Sequence, residues 1–221
     1  DYTETSSTTG RENFLSGLID FGITALPATE EELSHHPDHR EYSYAPVAAS
    51  AVVVAYNLTD PFTGLRVENL VVSPRLVARV VTNSSVETFV RDRELLNINP
   101  TVRFPTNGMN PILVRAERNA ATTILTSWMS ADPESQKLLA DTDTWRVRLN
   151  ASYAGYSYPR DAFELVDNDP GYLPRQGQKS IATRMFYGVS PTGTQAEPTS
   201  ARGVIGIVDL PTAKRFGLQV A

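Results

Sequence analysis

The longest apolar stretch in the chain covers residues 42–58, and its centre, Val52, Val53 and Val54, is a continuous β-branched run. Such a run, apolar without alternation, predicts a strand covered on both faces, as in a parallel sheet with helices on either side. Shorter runs at 112–115 and 204–208 predict two more strands. A weaker one at 18–23 predicts a short buried strand stopped by Pro27. Between them the spacing changes to that of a helix. Leu76, Val77, Val80 and Val81 follow Ser73-Pro74, an N-cap with proline at the first helical position. Ile124, Leu125 and Trp128 fall on one face of a helix over 122–129, and 212–216 begins another. Asp60-Pro61 and Gly64 mark a turn. Residues 179–187 read as a strand. Residues 97–111 and 190–200 read as loops, and 30–40 as a surface helix end and loop. The aromatic, proline and aspartate-rich 155–177 reads as an ordered excursion or a flexible connection. Strands alternating with helices predict an α/β fold with mainly parallel sheets.

One stretch carries chemistry as well as pattern. Thr5, Ser6, Ser7, Thr8 and Thr9 are five hydroxyl residues in a row, followed by Gly10 and by apolar Phe14, Leu15 and Leu18 at helical spacing. Small hydroxyl side chains before such a run cap a helix by accepting its first N–H groups. The same group of free N–H donors, hydroxyls and the positive dipole end can also hold an anion. The pattern alone leaves both readings open. Gly17 predicts the end of this helix.

The order of these pieces resembles a known family. The hydroxyl- and glycine-rich turn, the helix, and Gly17, Asp20, Phe21 and Gly22 in a G-x-x-D-F-G arrangement look like the first lobe of a phosphate-type periplasmic binding protein. Residues 48–58 are similar to that family's apolar strand ending in a Tyr-Asn pair. Residues 115–130 line up with its Arg-Ser-Asp-Gly-Ser-Gly-Thr-Thr strand-to-helix element, and 203–218 with a late Gly-rich strand and helix. The likeness implies a two-lobed type II periplasmic-binding-protein-like fold with the first lobe incomplete. Residues 1–49 would be a first-lobe segment, and 50–221 the crossover strand and second lobe. The family's first strand has no counterpart before Asp1, so the chain reads as a piece of a longer polypeptide with an open sheet edge beside 18–23. Self-association through that edge is expected.

Carried over residue by residue, the resemblance implies a ligand site made of Ser7, Thr8, Thr9, Gly10, Arg115, Asn119 and Thr122. The departures are specific. Ala25 stands where the family has an aspartate that accepts a proton from the bound oxyanion. Asn119, Ala120 and Ala121 replace its Ser-Gly-Thr, and Arg118 stands in place of a glycine. Each lost charge-assisted hydrogen bond costs roughly 1.5–3 kcal/mol, about one to two decades in affinity. The implied function is an extracytoplasmic module binding phosphate or another small oxyanion weakly, with an ABC permease as partner. The alternative is a cell-surface structural or adhesive module that kept the fold and lost the ligand.

Composition narrows the rest. A net charge of -5 argues against a nucleic-acid surface. The absence of cysteine removes disulfides, thiolate metal sites and cysteine nucleophiles. Residues 1–221 read without a signal-peptide pattern and without an apolar run long enough to span a membrane, and any export signal is expected on flanking sequence. The three histidines, His35, His36 and His39, sit together in a polar loop, without the further ligands a closed metal site needs. No nucleophile elbow, Walker loop or zinc motif is present, so no enzyme, cofactor or metal is expected.

Overall fold

A computed structural model describes residues 3, 5–84, 91–104, 112–115, 117–142, 147–163, 172–175, 178–187 and 204–221. The chain opens with α1 (Ser7–Leu15), capped by Ser6, whose Oγ accepts the Thr9 N–H. It stops where Gly17 turns to φ +78°. There Gly17 N–H donates to the Phe14 carbonyl at 3.0 Å and Leu18 N–H to the Asn13 carbonyl at 2.9 Å. This is the Schellman closure that glycine makes inexpensive.

Residues 18–23 are then not a strand, and not buried. Leu18, Phe21 and Ile23 are 75%, 82% and 69% exposed. A short apolar run becomes a strand only when a neighbour pairs its backbone, and no described residue does so. A second helix, α2 (Glu30–Ser34), follows behind a reciprocal capping box between Thr29 and Glu32. Glu32 is buried and receives Arg11 on both carboxylate oxygens, which ties α2 to α1.

From residue 52 the chain builds a layered α/β body. Its strands are β1 (Val52–Asn57), β2 (Ile112–Arg115), β3 (Tyr172–Arg175), β4 (Val204–Asp209) and β5 (Gln219–Val220), in the order β3-β2-β4-β1-β5. The helices are α3 (Pro74–Val81), α4 (Arg93–Ile98), α5 (Ala120–Ala131), α6 (Pro133–Leu139), α7 (Gln178–Tyr187) and α8 (Leu210–Arg215).

The sheet is mixed where a mainly parallel one was expected. β2 runs parallel to β3 and β4, but β1 runs antiparallel to β4 along its whole length, from Val52↔Asp209 to Asn57↔Val204, and antiparallel to β5. A run buried on both faces reports that helices cover both sides, and not the direction of the neighbouring strands. The alternation of the pleat splits the core in two. Val54, Tyr56, Ile205 and Ile207 face α3, α5 and α6. Ala55, Leu113 and Val208 face α7 and α8.

Residues 179–187 lie in helix α7, not in a strand. Ile181, Ala182 and Met185 are fully buried at helical spacing against the second face. A Cβ on Gly206 would stand 2.7 Å from Met185 Sδ and 3.1 Å from Ile181 Cγ2, so glycine in β4 lets α7 approach the sheet. Strand β3 lies inside the stretch read as an excursion or connection. The loop predicted at 190–200 lies outside the described residues.

Two helices unmarked by the apolar pattern, α4 and α6, begin at Asp92 and at Asp132-Pro133. Asp132-Pro133 repeats the cap-and-proline signal of Ser73-Pro74, and Asp92 is an N-cap without the proline. α4 is fastened to α3 by charge: Arg79 reaches Asp92 at 2.8 Å and Glu94 at 2.7 Å, and Glu94 also takes Arg75 and Ser73.

Candidate functional site

The first turn of α1 divides its hydroxyls between two tasks. Ser6 is the cap, and its Oγ also meets Thr9 Oγ1 at 3.1 Å. Ser7 and Thr8 are the first helical residues, and their N–H groups have no acceptor among the described residues, as expected at a helix start. Thr8 is only 4% exposed, and its Oγ1 is buried without a hydrogen-bond partner among the described residues. No acidic side chain lies in this first turn to offset the helix dipole. Gly10 is half-buried and lines a groove described below.

Arg115 closes β2. Its side chain is 11% exposed, and its Nε and Nη2 both donate to Glu117 Oε1. That uses one edge of the guanidinium; Nη1 has no partner among the described residues. Arg118 is more open and donates from Nε to Asp161 Oδ2 at 2.7 Å. Its pKa is raised by that hydrogen bond and by the charges of Asp161, Glu12 and Glu31, with burial acting the other way. Glu12 belongs to α1 and Glu31 to α2, so the α5 junction feels the carboxylates of the N-terminal helices.

Asn119 and Thr122 are engaged in building the junction. Asn119 is 2% exposed and caps α5, with Oδ1 accepting the Thr122 N–H at 2.9 Å. Its Nδ2 donates to the Glu117 carbonyl at 2.7 Å and meets Thr122 Oγ1 at 3.0 Å. The Asn119 N–H reaches the Asp161 carbonyl. The amide is fully used, and Thr122 is buried beneath it. What the junction leaves open is backbone: the Ala120 and Ala121 N–H groups have no acceptor among the described residues. Sequence reasoning named Asn119 as a donor. The N-cap preference of asparagine was the signal for its actual use.

A groove of about 320 Å³ lies beside α1. Its walls are α1 from Gly10 to Leu15, residues 20–24, and residues 40–44. None of Arg115, Asn119 or Thr122 lines it. The aromatic rings are stacked edge to face, Phe14 on Tyr42 at 5.6 Å and Tyr42 on Tyr44 at 5.4 Å, with Arg40 over Phe14. Ala25 lies exposed in the turn that follows. His39 packs against Tyr42 and keeps Nδ1 on the Arg40 carbonyl. Among the described residues no cluster of His, Asp and Glu could hold a metal ion, and no helix is long and apolar enough to cross a membrane.

The family model described as a PBP (periplasmic-binding-protein) superfamily domain matches residues 1–215, and the chain belongs to that family. Domains of this kind bind solutes, and they are binding proteins rather than enzymes. No curated protein matches the chain.

Proposed function

We propose that the chain is an extracytoplasmic solute-binding domain that takes a small oxyanion, phosphate or a similar tetrahedral anion, between the Ser7–Gly10 turn and Arg115. In this reading residues 1–49 belong to a first lobe and 50–221 to the crossover and second lobe, and an ABC permease is the partner. The observation that carries it is the half-used guanidinium of Arg115. Glu117 fixes one edge, and Nη1, with no partner among the described residues, keeps donors suited to an oxyanion. Two helix starts add neutral donors, since their first N–H groups and the Thr8 hydroxyl have no partner among the described residues.

Binding is weak in this reading. Asn119 and Thr122 spend their side chains inside the α5 junction, and Ala25 offers no acceptor for a protonated anion. Two missing charge-assisted bonds at roughly 1.5–3 kcal/mol each put the dissociation constant at about micromolar or poorer. Phosphate and sulfate then bind alike. Titration calorimetry on the wild type and on Arg115→Ala tests this: weak heat with both anions, lost in the variant, is expected. Nanomolar phosphate binding overturns the weak-site reading.

A specific observation favours a second reading. The Arg115–Glu117 pair already supplies the guanidinium with a carboxylate, as a site that has lost its ligand would. If neither anion binds, the chain is a cell-surface structural or adhesive module on the same fold.

A further inference from the structure

The groove beside α1 is lined by residues of the N-terminal segment, and the oxyanion reading leaves it unused. Its volume, about 320 Å³, lies at the lower end for a small-molecule pocket. The lining is rich in rings. Phe14, Tyr42 and Tyr44 form a continuous edge-to-face series, with interplanar angles of 85° and 86°. Phe21 and Ile23 line the same groove and are 82% and 69% exposed, so the chain itself leaves them uncovered. An edge-to-face series leaves ring faces and edges open to one more ring.

Charge narrows the occupant. The ionised side chains in the lining, Arg11, Asp20, Arg40 and Glu41, sum to zero. Both arginines are engaged. Arg11 holds Glu32 and Thr24 Oγ1, and Arg40 holds Asp20 and the Ile19 carbonyl while lying over Phe14. An ion of either sign would give up hydration here without a net opposite charge to replace it. An uncharged ligand loses much less.

The walls set the polar part. Residues 20–24 and 41–44 lie outside helix and strand, so they offer no ladder for a polypeptide strand. Their main-chain N–H and carbonyl groups make no backbone hydrogen bond to any described residue. Those groups suit one or two polar atoms on the edge of a ring.

We propose that this groove binds an uncharged, planar aromatic small molecule of one or two rings. A hydroxyl or ring N–H on its edge bonds to the main chain of the walls. The site is separate from the one proposed for the oxyanion and does not depend on it.

The probe is 2-naphthol, uncharged near neutral pH, titrated into the 221-residue chain and followed by its fluorescence and by amide chemical shifts. It is expected to bind with a dissociation constant of about 0.1 mM and to shift the amides of residues 20–24 and 41–44. Decahydro-2-naphthol, with the same skeleton and hydroxyl but no aromatic ring, should bind about tenfold more weakly. The anion 2-naphthoate and the cation 2-naphthylmethylammonium should each bind at least about tenfold more weakly. Phe21→Ser should weaken 2-naphthol binding about tenfold with an unchanged melting temperature, since the ring is exposed. Excess phosphate should leave it unchanged. Absence of 2-naphthol binding overturns the proposal, as does equal or tighter binding of either ion or of the saturated alcohol. Competition by phosphate also overturns it, because the groove would then be part of the anion site. So does a dimer that shifts the same amides without ligand, which would make a second copy the occupant.

Discussion

The segment before residue 52 and the body after it use similar residues to opposite effect. In the body, apolar runs are paired into a sheet and covered on both faces. Tyr56, Leu76, Leu113 and Ile181 are fully buried. In the segment, runs of comparable hydrophobicity stay open, and order comes from two short helices, one buried ion pair and a cluster of aromatic rings. The difference lies less in the side chains than in whether the backbone between them is paired. A strand in a sheet covers its apolar residues with neighbours on three sides. An unpaired strip leaves them to solvent.

The largest effect that would test this contrast is expected at the α3–α4 ion pairs. Arg79→Ala strands the buried Asp92 carboxylate and should cost about 3–5 kcal/mol of stability. Chemical denaturation should show the loss for the body as a whole. A loss under 1 kcal/mol would mean that α4 is only loosely attached.

Next comes a matched pair of truncations. Leu76→Ala, at a fully buried site, should cost roughly 2–5 kcal/mol. Phe21→Ala, at an exposed one, should stay within about 0.5 kcal/mol. If the two cost the same, the groove is part of a continuous core and the contrast fails.

The smallest effect is a pH step confined to the segment. Burial raises the pKa of the Glu32 carboxyl, but the Arg11 and Thr29 hydrogen bonds and the Arg11 charge outweigh it, so the net shift is downward. A carboxylate with a depressed folded pKa contributes stability that is present above its unfolded value. That contribution is lost as pH falls through the folded value. Protection of the Leu33 amide, which donates to the Thr29 carbonyl, should therefore fall, relative to its intrinsic exchange rate, as pH drops below the ordinary carboxylate range. Glu32→Gln should remove the pH dependence of that step. A step that persists in the variant assigns it to another carboxylate.

Much of the fold was legible in the chain. The valine run, the Ser73-Pro74 start and Gly17 each carry a local signal with one structural answer, and each element formed as the pattern predicted. α4 and α6 carried an equally local signal in their aspartate caps, although their apolar periodicity was slight. Residues 179–187 could not be decided locally. A mixture of β-branched, aromatic and apolar residues fits either element until Gly206 opens room for a helix against the sheet.

The candidate site divides along the same line. The sequence by itself determined which groups are available: hydroxyls at a helix start, an arginine at a strand end and an asparagine before a second helix. Residue type and spacing set donors and caps within a few positions of the chain. Tertiary structure decided how those groups are spent. Glu117 takes one edge of Arg115, Asn119 is consumed by its own helix, and residues 18–23 remain open because no strand arrives to pair them. Strand direction was decided there too, with β1 antiparallel to β4. The physical reason is that pairing and burial depend on partners far along the chain, whereas periodicity and capping act within one turn.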